Sequence, residues 1–154
     1  MKEFTFEFIN SLFKQFLNYG YKIVTVKDYI ENNYNESKLL ILRHDVDRFP
    51  KNSLIMAQLE NKLGITSTYY FRTRKYTYIP DIITSIKNFG HEIGYHYENL
   101  SDTKGNYEKA IADFESNLNK LRLYYPVQTI CMHGSPLSPW DNKVIWKKFS
   151  YREF

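Results

Sequence analysis

The sequence predicts an α/β protein built on a parallel-stranded sheet. Three observations carry this reading: apolar runs of strand length alternate with stretches whose apolar residues recur at helical spacing, no hairpin turn separates the runs, and two dense polar motifs each close a run. Parallel strands are buried on both faces, and their ligands gather at the carboxyl ends. Arg43-His44-Asp45-Val46-Asp47 and His91-Glu92-Ile93-Gly94-Tyr95-His96-Tyr97-Glu98 stand where such a sheet would present them.

The elements follow in order. Residues 4–19 place Phe8, Leu12 and Phe16 on one helical stripe beside Phe13 and Leu17, and Gly20 suits the helix end. A short strand at 22–26, a short helix at 26–32 and a polar loop at 33–37 lead to the buried strand Leu39-Leu40-Ile41-Leu42, which runs into the first motif. Beyond Pro50, Ser53 is the expected cap of a helix whose apolar face is Leu54, Ile55, Leu59 and Leu63, closed by Gly64. Residues 65–72 form the next strand. Pro80 opens a helix with Ile82, Ile83, Ile86 and Phe89 inward, and Gly90 ends it just before the second motif. A longer helix at 107–123 buries Ala110, Ile111, Phe114, Leu118 and Leu121; Pro126 stops it ahead of the strand Thr129-Ile130-Cys131-Met132, which ends at His133-Gly134. Five strands separated by helices, without a repeat or a linker, imply one domain over residues 1–154.

Length and composition narrow the class. The 154 residues suffice for a real core but fall short of a closed eight-stranded β/α barrel. A hydrophobic share of 43% with 25% charged residues is that of a soluble globular chain, and no apolar run approaches the ~18 residues of a membrane span. Glu3 and Glu7 stand among the aromatics of the amino terminus, where an export signal would carry basic residues, so a cytoplasmic protein is expected. Cys131 is the single cysteine, which rules out an internal disulfide and a cysteine-based zinc cage; a metal would rest on histidines and carboxylates. The net charge of +4 comes from scattered lysines around one dense patch, Arg72-Thr73-Arg74-Lys75, a pattern of solvated surface and not of a nucleic-acid face.

Asp45 and Asp47, two apart on an extended chain, project from one face and can share a cation. His96 closes the second motif, and of its neighbours only Glu98 shares its face; His91, at the opposite end of that strand, reads as structural. His133, at the end of the last strand and ahead of the turn-rich Gly134-Ser135-Pro136, is the third candidate ligand. Asp47, His96 and His133 would make a facial triad with coordination positions left open. His44 should point to the other face as a packed or supporting residue.

At these residues the sequence resembles the polysaccharide deacetylases, carbohydrate esterase family 4, and in particular divergent members with Arg-His-Asp-Val-Asp in place of Thr-Phe-Asp-Asp-Gly. Leu63-Gly64-Ile65-Thr66-Ser67-Thr68-Tyr69-Tyr70-Phe71 is similar to the strand after that motif, and Gly90-His91-Glu92-Ile93-Gly94-Tyr95-His96 to the second motif; the likeness runs from about Leu39 to Trp140. The resemblance implies part of a distorted β/α barrel and a metal-dependent hydrolase that removes an N-acetyl group from a sugar or glycan precursor. It implies Asp45 as general base, with Asp47 and His96 on one divalent ion, zinc first and cobalt, nickel, manganese or iron as alternatives. The second metal histidine would fall at Leu100, so His133 is the preferred replacement ligand and Glu98 the other. The later aspartate-tryptophan motif and the general-acid histidine would lie beyond Phe154, so the domain is expected to be incomplete at its carboxyl end, with an open sheet edge that could pair two chains into a homodimer. Two other functions fit the same residues: a non-catalytic glycan-binding or interaction module, with Trp140 and tyrosines stacking on sugar, and a metal-dependent hydrolase of another small amide.

Overall fold

The computed structural model describes residues 5–154; Phe4, where the sequence begins the first helix, and the other residues of 1–4 used in reading the amino terminus lie outside them. The elements are α1 (Phe6–Asn18), β1 (Lys22–Val24), α2 (Val26–Glu31), β2 (Leu39–Ile41), β3 (Arg43–Val46), α3 (Pro50–Lys62), β4 (Thr68–Phe71), α4 (Pro80–Asn88), β5 (Glu92–Tyr97), α5 (Asn99–Asp102), α6 (Tyr107–Arg122) and β6 (Ile130–Met132), followed by 3₁₀ turns at Asn142–Lys147 and Tyr151–Glu153. Thr5, Thr25 and Asn106 cap α1, α2 and α6 by accepting the backbone N–H of the residue three further on, and proline opens α3 and α4.

All strand pairs are parallel, in a two-stranded ladder β1-β2 and a four-stranded ladder β3-β4-β5-β6. The single strand expected over residues 39–47 is therefore two. Leu42 is the switch: its N–H bonds the Val24 carbonyl at 3.1 Å while its carbonyl accepts from Thr68 N–H at 3.0 Å, so one residue belongs to both ladders. The expected cap at Ser53 is also corrected. The helix starts four residues earlier because Pro50 suits its first turn, and the cap position falls to Phe49.

The four-stranded ladder is curled into half a barrel. Neighbouring strands stand about 4.8 Å apart, so a flat sheet would hold β3 and β6 roughly 14 Å from one another. Yet ligand atoms of Asp45 on β3 and Cys131 on β6 lie within 4.8 Å. Alternation then sorts the side chains. Tyr69, Ile93, Tyr95 and Tyr97 face outward into the main core with Ile83, Ile86, Phe114 and Leu121 of α4 and α6. Ile9 and Phe13 of α1 close a second cluster with Ile65.

The concave face is filled in layers beneath the strand ends. Tyr70 lays its ring over Gly94 of the neighbouring strand and donates its hydroxyl to Thr129 Oγ1 at 3.1 Å. A Cβ at Gly94 would come within 2.3 and 2.4 Å of that ring and 3.2 Å of the Thr129 carbonyl, so only glycine fits here. One layer down, the buried Glu92 carboxylate accepts from the hydroxyls of Thr68 and Thr129 and from Lys27 N–H, joining three strands to the start of α2. With every oxygen bonded, this carboxylate is a floor and not a reactive group.

Candidate metal centre

His96 is the penultimate residue of β5 and points into the concave face. Its Nδ1 lies 3.0 Å from the Cys131 carbonyl oxygen. A carbonyl only accepts, so Nδ1 carries the proton and Nε2 presents a bare lone pair. Burial favours the neutral ring and pulls its pKa below the ordinary value, against the carbonyl and the two aspartates, which favour the charged form.

Two further groups converge on that lone pair. Asp47 Oδ1, just beyond β3, stands 3.4 Å from His96 Nε2, and His133 Nδ1, just beyond β6, stands 3.2 Å from Nε2 and 3.0 Å from Oδ1. Ligand atoms bound at about 2.0–2.1 Å to one zinc-like ion sit about 3.0–3.4 Å from one another, which is the spacing seen. Asp47 Oδ1 is moreover enclosed and makes no hydrogen bond. A buried acceptor left alone costs about 1–3 kcal/mol, and two imidazole nitrogens beside it cannot both donate while His96 keeps its proton on the other side. A cation between the three atoms satisfies them all, so the residues fit a divalent metal.

His133 is held by its backbone. Its N–H donates to the Tyr97 carbonyl at 2.8 Å, and its own carbonyl accepts from Asn142 Nδ2 at 3.1 Å. Asn142 is buried and also accepts from Ser101 N–H, so it ties the loop after β6 to α5. Sequence reading passed over this residue, because an asparagine at the start of a 3₁₀ turn carries no chemical signal of its own.

Asp45 lies at the edge of the cluster, with Oδ2 3.8 Å from His96 Nε2 and 2.6 Å from the Arg43 guanidinium. Its side chain keeps 32% of its exposure, so water can reach it while Arg43 fixes its direction. Cys131, which the sequence excluded from a cysteine cage and then left aside, has its thiol within ligand reach of Asp45 and His96. Its position two residues before His133 on an alternating strand is the signal that could have found it.

Glu98, weighed as a replacement ligand, is otherwise engaged. Arg72 grips it with two nitrogens at 2.6 and 2.7 Å, Arg74 adds Nε at 2.8 Å, and the nearest approach to His133 is 4.0 Å. The third guanidinium nitrogen of Arg72 reaches the Asp47 carbonyl, so the pair supports the centre from behind. Burial pushes the Glu98 carboxyl up, but the hydrogen bonds and charges of Arg74 and Arg72 outweigh it and leave the pKa below the ordinary 4.5. A carboxyl lowered on folding adds stability above its ordinary pKa and loses it as pH falls through the folded value. Glu98→Gln is thus expected to cost about 2 kcal/mol at pH 7, with the gap to the parent closing below about pH 4.5, as urea melts at several pH values would record.

The other histidines lie elsewhere. His91 is buried on the convex side, accepting from Ser67 N–H at 3.1 Å and donating to the Ala57 carbonyl at 3.0 Å, and burial lowers its pKa. His44 faces away from the cluster and donates to Glu60 at 2.6 Å. Leu100, at the expected position of a second metal histidine, is packed in the main core.

No protein-family model matches the chain, and no curated protein does either. Solved structures do match. IcaB from Ammonifex degensii superposes with a TM-score of 0.62 at 17% identity, over 90% of this chain and 72% of its own. The deacetylase PplD of Streptococcus pyogenes, solved in complex with acetate, superposes with a TM-score of 0.59 at 14% identity, over 90% of this chain and 68% of its own. The chain shares the fold of these two proteins. The parallel-stranded sheet expected from the sequence, part of a distorted β/α barrel, is a curled half-barrel of the kind found in IcaB and PplD, and no helix among the described residues is long and apolar enough to cross a membrane.

Proposed function

We propose that this protein is a metal-dependent deacetylase that hydrolyses the acetamido group of an N-acetylated sugar. The observation that carries the reading is the enclosed, unbonded Asp47 Oδ1 facing His96 Nε2 and His133 Nδ1, with Asp45 beside them. The name of PplD supports the choice of reaction. Asp47, His96 and His133 would hold the ion, with zinc favoured by two imidazoles and one carboxylate.

A divalent ion there supplies Lewis-acid polarisation of the amide carbonyl and positive charge for the tetrahedral transition state. The chain does the rest. Asp45, aimed by Arg43, takes the proton of the attacking water. Burial keeps His96 neutral against the pull of the Cys131 carbonyl, so it does not compete for that proton. The Glu98–Arg72 pair keeps Asp47 in place as charge develops.

The test is acetate release from N-acetylglucosamine oligomers with zinc or cobalt present. Asp45→Asn should lower the rate by about 10²–10⁴-fold while the protein keeps its metal. Equal rates in parent and variant would remove Asp45 as the base.

A further inference from the structure

We propose that the cavity beside the metal centre formed by Phe49, Pro50, Tyr76 and Ile79 receives the hydrocarbon of a lipid-phosphate-linked sugar, with Arg48 and Lys51 binding the phosphate. This deepens the deacetylase reading and rests on it for the role of the bound lipid.

The location comes first. Phe49 follows Asp47 by two residues, so its Cα lies at most about 7 Å away along the chain. Tyr76 comes from the loop after β4, and both loops leave the carboxyl ends of their strands, where the metal centre lies. A sugar whose acetamido group sat at that centre could extend its anomeric substituent into this cavity.

Phe49 itself is the second observation. Its backbone is left-handed, with φ of 49° and ψ of 55°, a conformation that bulky residues avoid. Folding does not use the ring, which is 72% exposed. A strained backbone that holds an aromatic side chain out in water does nothing for the core, and it does present an apolar wall. Tyr76, 54% exposed, supplies another.

The lining then selects the ligand. The cavity measures about 570 Å³ and is walled chiefly by apolar surface, with the Asn52 amide and the Tyr76 hydroxyl the uncharged polar groups in its lining. A glycan would need several hydrogen-bonding groups for its hydroxyls, whereas a hydrocarbon needs none. Arg48 and Lys51 stand at the cavity, exposed and, among the described residues, in no ion pair. The other arginines near the centre are committed: Arg43 to Asp45, Arg72 to Glu98, and Arg74 to Glu98 and Asp102. Two free cations on an apolar cavity complement a phosphate joined to a hydrocarbon.

Calorimetric titration with farnesyl phosphate, farnesol, inorganic phosphate and diacetylchitobiose tests this. Farnesyl phosphate should bind at least about tenfold more tightly than farnesol or phosphate. Phe49→Gly, which relieves the backbone strain, should keep the protein at least as resistant to urea while weakening that binding about tenfold, and Arg48→Gln with Lys51→Gln should reduce farnesyl phosphate to the level of farnesol. His96→Ala should leave the binding unchanged, so a failed metal centre and a failed lipid site give different results. Equal binding of farnesol and farnesyl phosphate, chitobiose binding that depends on Phe49, or no binding of any probe would overturn the proposal.

Discussion

Replacing Glu60 by alanine is expected to destabilise the protein by about 3–5 kcal/mol, a large part of the 5–15 kcal/mol typical of a single domain. Glu60 is fully buried on the convex side, where its two oxygens accept from His44 Nε2 at 2.6 Å, Ser67 Oγ at 2.7 Å and the Tyr69 hydroxyl at 2.8 Å, with His91 at 3.8 Å. Alanine would strand all of these donors in the interior and leave a cavity as well. Tyr69 is the most exposed to that loss in energetic terms. Its ring is buried, and desolvation together with the Glu60 carboxylate drives its pKa far above the ordinary value, so the hydroxyl must keep its proton and needs an acceptor. Glu60→Gln keeps the shape and one acceptor and should cost roughly half as much. Denaturant unfolding of both variants checks the order, and a loss under 1 kcal/mol for alanine would mean that water replaces the carboxylate.

Asp47→Ala should act in the opposite sense on stability while removing metal binding. Its Oδ1 has no hydrogen bond and sits against two ring nitrogens, so the metal-free protein carries an unsatisfied acceptor at this position. Deleting it should leave the metal-free fold unchanged or up to about 1 kcal/mol more stable, and should lower zinc affinity by at least about a hundredfold. The contrast with Glu60 is diagnostic: one carboxylate is buried for the fold, the other is held ready for a cation. Thermal unfolding with and without zinc separates them. Zinc should raise the midpoint of the parent and of a Glu60→Gln protein, but not that of Asp47→Ala.

Much of this was written locally in the chain. Gly20, Gly64 and Gly90 take φ of 78°, 70° and 89° where the helices were expected to stop, because a left-handed residue at a helix end has few alternatives to glycine. The alternation of strand residues put Asp45 and Asp47 on one face and His44 on the other, and the structure turns both aspartates toward His96 and His44 away to Glu60. What escaped was set by tertiary bonds. The break at Leu42 depends on two partner strands that no window of sequence contains. Glu98 shares a face with His96, as periodicity said, but Arg72 and Arg74 lie 26 and 24 residues away and claim it first. The reach of Cys131 and Asp45 toward one point depends on how tightly the sheet curls, and curl is a property of four strands together.

The central claim is that Asp47, His96 and His133 form one metal centre, and metal stoichiometry measures it most directly. Elemental analysis after dialysis against zinc should find one ion per chain in the parent and in His91→Ala, whose ring is bonded to Ser67 and Ala57 on the far side of the sheet, and almost none in His96→Ala or His133→Ala. Zinc retained by either of the last two variants, or no zinc bound by the parent, would contradict the account.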